Sequence, residues 1–93
     1  MIVYRLEDID GNGPFCYKDG TVKTNPKIKF DCCWLYAFDD LESFQEPSYK
    51  EFLNNTDYIL YKIELSKAIT KANSHEVKFF PQYIISKTKI LRS

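Results

Sequence analysis

The sequence predicts an α+β domain with a mainly antiparallel sheet of about five to six strands and one or two short helices, over residues 40–54, packed on one face. Apolar and polar residues alternate along several segments, which is typical of strands that bury one face. The clearest helical spacing lies between two groups of such strands. No linker, repeat or low-complexity segment divides the 93 residues, so we expect residues 1–93 to form a single compact domain.

The first quarter of the chain predicts a strand, a loop and a hairpin. Residues 2–6 are mostly apolar, and residues 8–14 are dense in turn-forming types. Residues 15–18 and 21–23 then flank the dipeptide Asp19-Gly20, which favours a two-residue type I′ hairpin turn.

A longer strand is predicted between residues 28 and 38, where every even position is apolar or aromatic. From Cys33 onwards the odd positions are apolar as well. Strands of this kind are covered on both faces, so we expect a helix to lie over this end of the strand.

The helical insert follows this strand directly. Asp39 lies three residues before Glu42, and Ser48 lies three residues before Glu51, which is the spacing of a capping box. Pro47 interrupts the helical pattern between the two pairs. These signals predict two short helices, or one helix broken at the proline.

The remaining residues predict three strands. Residues 58–65 alternate most clearly and are expected to lie centrally in the sheet. Residues 66–74 are polar, with room for a helical turn. Residues 75–80 and 82–91 predict two closing strands that are joined at Pro81.

The composition excludes several classes of protein. Hydrophobic residues make up 44% of the chain and aromatic residues 16%, which excludes a disordered tail, collagen or a coiled coil. No apolar run is long enough to cross a bilayer, and the first residues lack the pattern of a secretory leader. The three cysteines are odd in number, and Cys32 and Cys33 are adjacent, so we expect reduced thiols and a cytoplasmic protein.

Charge is distributed unevenly, although thirteen basic and thirteen acidic side chains cancel. Residues 1–57 carry six basic and eleven acidic side chains, a net charge of −5, and residues 58–93 carry seven and two, a net charge of +5. Either the fold separates an acidic pole from a basic pole, or the two halves interleave in one sheet and neutralise each other.

Patterns for catalysis and metal binding are weak. His75 is the one histidine, so a Cys-His or Ser-His-Asp nucleophile would require it, and no nucleophile signature surrounds the cysteines. The cysteine spacing does not fit a zinc site, and residues 8–14 begin like a calcium loop but lack its closing glutamate. We therefore expect no metal and no cofactor, and the sequence favours a non-enzymatic protein.

Acidic residues on the helical insert are the first candidate site. Acids near helix starts often serve only as caps, but they also form surfaces that bind basic grooves of other proteins. The candidate partner-binding residues are Asp39, Asp40, Glu42, Glu46 and Glu51. The basic segment 78–92 is the reciprocal hypothesis, a site for single-stranded nucleic acid, but it lacks a recognition motif, so direct nucleic-acid binding is not expected.

Arg5 is the second candidate site, because it places a charged side chain in an apolar strand between Tyr4 and Leu6. It either forms a cross-strand pair with Glu64 or holds a phosphate or carboxylate of a ligand under aromatic walls. The candidate ligand-binding residues are Arg5, Tyr17, Trp34, Tyr36 and Glu64.

Residues 3–8, 11–14, 38–44 and 58–65 resemble segments of small phage and prophage proteins of unassigned activity. Those proteins open with a Tyr-Arg strand and a Gly-x-Gly-Pro turn, and place a short acidic helix before a Tyr-rich strand. The opening strand is also similar to the arginine strand of ADP-ribosyltransferase-like domains. The first resemblance implies a protein that inhibits a host factor by contact, as anti-CRISPR proteins do, and the second implies that Arg5 contacts a ligand.

The sequence therefore predicts a phage-type binding protein in the bacterial cytoplasm that inhibits a host protein, such as a nucleic-acid-handling defence or CRISPR effector, through its acidic insert. The alternative is a small nucleotide-binding or ADP-ribosyltransferase-like domain centred on Arg5. No membrane partner is expected. Homo-oligomerisation is left open, because an exposed strand edge can pair two copies.

Overall fold

The computed structural model describes residues 1–29, 34–70, 72 and 74–90. These residues form strands, one α-helix and two short 3-10 helices. In chain order the elements are β1 (Ile2–Glu7), β2 (Thr21–Val22), β3 (Asn25–Lys29), β4 (Leu35–Phe38), a 3-10 helix (Glu42–Gln45), α1 (Pro47–Leu53), β5 (Ile59–Leu65), β6 (Ile69–Thr70), β7 (Glu76–Phe79), a second 3-10 helix (Pro81–Tyr83) and β8 (Ile84–Lys89). Within the described ranges, no helix has the length and apolar character needed to cross a membrane.

Six strands form one antiparallel sheet in the order β6-β7-β4-β1-β5-β8, and β2 and β3 form a separate two-stranded sheet. This confirms the predicted α+β fold. Strands β1 and β4, from the acidic half of the chain, lie in the middle of the large sheet, and β5 to β8, from the basic half, lie outside them. Strands from the two oppositely charged halves therefore share one sheet, which agrees with the second of the two alternatives.

Strand β1 pairs unequally with its two neighbours. All six of its residues, from Ile2 to Glu7, pair with β5. On the other side, the described register joins β1 to β4 at one position, Tyr4 opposite Phe38. The ladder does not continue from there along the C-terminal half of β1, so the sheet opens between these two strands.

Each face of the large sheet has its own core. Because side chains alternate along a strand, Val3 and Leu6 of β1 point to opposite faces, and they belong to different clusters. One buried cluster contains Val3, Ala37, Ile63, Leu65, Val77 and Phe79. The other contains Leu6, Phe44 and Leu60, with rings from the helical insert packed around it. The insert thus covers one face, as predicted.

The helical insert begins without the predicted side-chain caps. The 3-10 helix is preceded by Leu41 and α1 by Glu46, and neither residue makes a side-chain capping bond. Helix α1 starts at Pro47, which suits the first helical position because an N–H there would have no partner within the helix. The two short helices are confirmed, but the capping roles predicted for Asp39 and Ser48 are wrong.

Two predicted elements differ from the structure because alternation does not reveal which strands become partners. The single strand predicted over 28–38 is replaced by β3, which is exposed and pairs with β2, and by β4, which lies in the large sheet. Residues 30–33, which come after β3, lie outside the described residues. In the polar segment 66–74, Ile69 and Thr70 pair with β7, where the sequence left room for a helical turn.

The hairpin predicted at Asp19 and Gly20 has a longer turn. The Gly20 N–H donates to the Tyr17 carbonyl, the Tyr17 N–H donates to the Thr21 carbonyl, and Gly20 has a φ of 90°. This pattern is typical of a three-residue loop that ends in a left-handed glycine, and not of a two-residue turn.

Phe44→Ala should destabilise the domain by about 3–5 kcal/mol, the usual cost of removing a buried ring. Phe44 is 2% exposed, and its ring lies edge to face with Phe38 and Tyr49 at centroid distances of 5.2 and 5.8 Å. Leu41→Ala is the matched control, because Leu41 lies in the same insert but is 44% exposed; it should cost less than about 1 kcal/mol. Urea unfolding measures both changes, and equal losses would show that Phe44 does not anchor the insert.

Candidate functional site

A cleft of about 360 Å³ lies at the opening between β1 and β4. Residues 13–17 contribute one wall, and the helical insert contributes Phe44 and Tyr49. Most of the lining residues are aromatic or aliphatic, and Arg5 and Glu76 supply charged groups. This combination of apolar walls and a few polar groups is typical of small-molecule sites.

The turn after β1 holds the wall segment in place. Asp8 Oδ1 accepts the backbone N–H groups of Asp10 and Asn12, each at 2.9 Å. Gly11 between them has a φ of 85°, a left-handed conformation that favours glycine. Burial acts to raise the pKa of Asp8, but the backbone hydrogen bonds outweigh it and leave that pKa below its ordinary value. The ionised carboxylate therefore stabilises the turn.

Arg5 is 8% exposed and reaches from β1 to β4. Its Nε donates to Glu7 Oε2 at 2.8 Å, and its Nη1 donates to the Tyr36 carbonyl oxygen at 2.7 Å. The second bond links the two strands where their backbone ladder is interrupted. The third nitrogen, Nη2, has no hydrogen bond to any described residue, and it lies beside Gly13, where a Cβ would be 3.5 Å away.

The pair predicted between Arg5 and Glu64 is wrong. The register places Arg5 opposite Tyr61 and Glu64 opposite Ile2. Since side chains alternate along β5, Tyr61 and Glu64 project from opposite faces, and so do Arg5 and Glu64. Glu64 does not line the cleft.

Glu7 is one of the residues of this site that were not predicted from the sequence. Glu7 is 3% exposed, and its carboxylate accepts hydrogen bonds from Arg5 through Oε2 and from Lys87 Nζ through Oε1. The sequence did contain one signal for Glu7: residues two apart on a strand, such as Arg5 and Glu7, project from the same face. No local pattern identifies Lys87, since it lies 80 positions later in the chain.

Four of the five predicted ligand-binding residues line the cleft: Arg5, Tyr17, Trp34 and Tyr36. Tyr17 is an exposed residue of this lining. Trp34 is stacked on Phe80, with ring centroids 3.7 Å apart and planes 22° apart, and Lys78 Nζ lies 5.0 Å from its centroid. Trp34 is therefore a fixed part of the wall, packed against its own neighbours.

Cys16 and Tyr49 add a thiol and a phenol to the wall. Burial raises the pKa of the Cys16 thiol, although the positive charge of Arg5 acts in the opposite direction. Burial also raises the pKa of Tyr49, and the negative charge of Glu76 adds to that effect. Both groups are therefore neutral near pH 7, and the thiol is not an activated nucleophile.

Comparison with protein-family models, with curated proteins and with solved structures finds no match for this chain. The resemblances to phage proteins and to ADP-ribosyltransferase-like domains stay predictions. The function is therefore argued from the cleft and from the surface.

The five acidic residues predicted to bind a partner form two groups. Asp39 and Asp40 lie beside His75, whose Nδ1 is 2.7 Å from Asp39 Oδ1 and 3.6 Å from Asp40 Oδ2. The other three are exposed on the helical insert: Glu42, Glu46 and Glu51. Part of the predicted acidic surface is thus engaged within the protein itself.

Asp39, Asp40 and His75 place one ligand atom each within 4.8 Å of one another, a geometry that could hold a metal ion. The hydrogen bond with Asp39, with further help from the charge of Asp40, raises the pKa of His75. A raised pKa strengthens the competition of protons with a metal ion for the imidazole nitrogen. We therefore interpret this group as an ion pair. The Ser43 hydroxyl donates to Asp40 and not to the imidazole, so this contact does not form a nucleophile-base pair.

The basic segment 78–92 does not form a continuous groove for nucleic acid in its described part. Lys78 lies on β7 and the other lysines lie on β8, at the far edge of the large sheet. Phe79 is fully buried, and Phe80 is stacked on the tryptophan of the cleft. Arg92 lies outside the described residues. These rings are not available to stack on bases.

His75 should titrate above its ordinary pKa of 6.5, and Asp39→Asn should lower its pKa because the hydrogen bond loses its negative partner. Since the folded-state pKa is raised, the stabilisation by this pair is complete below the unfolded-state pKa and is lost as the pH rises through the folded-state pKa. The stability advantage of the wild type over Asp39→Asn should shrink across that range.

Proton NMR of the one histidine gives the pKa in both proteins, and urea unfolding at several pH values gives the stability difference. A wild-type pKa at or below 6.5 would contradict the ion pair.

Proposed function

We propose that this protein binds a small ligand that joins an aromatic ring to an anionic group, and that nucleotides are the class of ligand. The observation that carries the proposal is the guanidinium of Arg5. It is buried in the wall of an aromatic cleft, and its Nη2 is not bonded within the described part of the chain. The protein then acts by binding, without a chemical step.

The charged side chains that are bonded around Arg5 support an anionic ligand. Arg5 and Lys87 are positive and Glu7 is negative, so the three bonded side chains carry a net charge of +1. Glu76 adds a negative charge to the cleft wall, so the support for an anion is local to Arg5. A guanidinium binds phosphate or carboxylate through short, charge-assisted hydrogen bonds, and Nη2 is the nitrogen of Arg5 that is open to one.

The aromatic side chains of the cleft support a ligand that contains an aromatic ring. Phe15 and Tyr17 line the cleft and are nevertheless exposed, whereas Tyr36 and Tyr49 are half-buried. Aromatic side chains stack favourably on planar rings, including nucleobases. The resemblance of the opening strand to ADP-ribosyltransferase-like domains also implies a ligand contact at Arg5.

The wild type should bind adenosine 5′-monophosphate more tightly than adenosine or inorganic phosphate, because ring and anion both contribute. Gly13→Ala should weaken this binding about tenfold or more, since its methyl group would lie 3.5 Å from Nη2, in the space that the anion needs. A hydrogen bond to a charged group is worth about 1.5–3 kcal/mol. Glu64→Gln, outside the cleft, is the matched control and should leave the affinity unchanged. Titration calorimetry measures each protein with each ligand.

Gly13→Ala is a cleaner test than Arg5→Ala, because deleting one partner of a buried ion pair is itself strongly destabilising. The added methyl group stays at ordinary contact distances from Arg5 and from the Cys16 carbonyl. Bound ligand should also protect the Cys16 thiol from alkylation, located by peptide mass spectrometry. A wild type that binds none of the three ligands, or a Gly13→Ala variant with wild-type affinity, would contradict the proposal.

As a second function, we propose that the protein inhibits a bacterial host protein by direct contact in the cytoplasm. The support for this function is the exposed surface of the insert, where Leu41 lies between Asp40 and Glu42 in the chain and is solvent-exposed. Glu46 and Glu51 are exposed farther along the insert. An apolar side chain flanked by charged groups matches the usual anatomy of a protein interface.

A triple variant with Glu42→Lys, Glu46→Lys and Glu51→Lys should stay folded, because all three side chains are exposed. It should associate more slowly with a partner captured from host lysate by the immobilised wild type, most clearly at low salt. The matched control carries Lys27→Glu and Lys29→Glu on the exposed strand β3. Surface plasmon resonance at two salt concentrations compares the rates, and equal rates for all three proteins would exclude the acidic face.

A further inference from the structure

Lys87 reaches the arginine of the cleft through a buried carboxylate, although β5 lies between them in the sheet. We infer that Lys87 is a positioning residue: by binding Oε1 of Glu7, it keeps Nη2 of Arg5 available to the anionic group of the ligand. The inference rests on the proposed function, in which that group binds at Nη2.

The sheet register brings Lys87 to the correct face. Val3 of β1 and Lys87 of β8 both lie opposite Ile63 of β5, so Lys87 projects from the same face as Val3 and Glu7. Its Nζ lies 4.4 Å from the centroid of the Tyr61 ring and donates to Glu7 Oε1. The ammonium group therefore crosses β5 above the Tyr61 ring to reach the carboxylate.

The geometry of arginine explains why this contact matters for the cleft. A guanidinium and a carboxylate favour two parallel hydrogen bonds, and Nε of Arg5 already donates to Oε2 of Glu7. The other nitrogen on the same edge of the guanidinium is Nη2, so a second bond to the carboxylate would consume it. In the described residues Oε1 accepts from Lys87 Nζ, and no hydrogen bond joins it to Nη2. Without Lys87, Arg5 and Glu7 would form a closed pair with no net charge.

Lys87→Met should weaken binding of adenosine 5′-monophosphate about tenfold, the effect of losing one hydrogen bond to a charged group. It should remain folded, because the Lys87 side chain is 34% exposed and Arg5 still neutralises Glu7. Lys87→Arg restores a cation at the carboxylate, so its affinity should stay within about twofold of wild type. Lys89→Met is the matched control: it removes the same charge from the same strand and should also stay within about twofold.

A double-mutant cycle with Glu7→Gln separates positioning from direct attraction of the ligand by the lysine charge. Glu7→Gln removes the carboxylate that competes for Nη2, so Lys87→Met should then change the affinity by less than about twofold. Equal losses in the two backgrounds would show that Lys87 attracts the ligand directly. That result, or wild-type affinity in Lys87→Met, would overturn the inference.

The NMR signals of the Arg5 guanidinium test the positioning role of Lys87 without any ligand. The chain has two arginines, Arg5 and Arg92, so the guanidinium signals in ¹⁵N NMR can be assigned with one substitution. In Lys87→Met, the Nη2 signal of Arg5 should shift and its protons should exchange more slowly, because they bind Glu7. An unchanged signal overturns the inference. A wild type that binds none of the three ligands overturns the proposed function and leaves this readout valid. Lys87→Gln repeats the comparison if the methionine variant does not fold.

Discussion

A buried guanidinium in the central strand is the constraint on which the rest of the structure depends. Charges removed from water must find partners, and Arg5 finds them in Glu7 on its own strand and in the Tyr36 carbonyl of β4. The bond to β4 lies where the backbone ladder between β1 and β4 is missing. The hydrogen bond from Arg5 to the Tyr36 carbonyl therefore also bridges the opening that forms the cleft.

The aromatic residues of this small chain divide between supporting the sheet and lining the cleft. Phe44 and Phe38 belong to the core under the helical insert and also reach the cleft wall. Phe15, from the wall formed by residues 13–17, contacts Tyr49 and Phe52 of the insert edge to face, at centroid distances of 5.1 and 5.4 Å. This wall and the insert are thus packed against each other, and together they shape the cleft.

Local patterns predicted the elements whose neighbours could be inferred from the chain itself. The alternation in β1 and β5 and the proline at position 47 were sufficient, because side-chain periodicity and the missing N–H of proline act within a few residues. The run over 28–38 failed, since alternation is the same whichever sheet a strand joins. The small strand β6 was missed because pairing with β7, and not its own composition, makes it a strand.

The candidate site shows the same limit. Tyr17, Trp34 and Tyr36 were chosen by residue type and do line the cleft with Arg5. The predicted pairing of Arg5 with Glu64 was wrong, because the cross-strand register decides which acid shares the face of Arg5. That register is set by tertiary pairing. The lysine that completes the cluster comes from the last strand of the sheet, which no local reading of β1 could reveal.

The wall of the cleft draws on both faces of the sheet. Leu35 and Ala37 belong to one hydrophobic cluster, Leu6 and Phe44 belong to the other, and all four border the same space. A guest molecule there would join two clusters that the backbone otherwise keeps apart. A ligand that binds only the folded chain stabilises it against unfolding, so a molecule bound there would raise the fraction of protein that survives proteolysis.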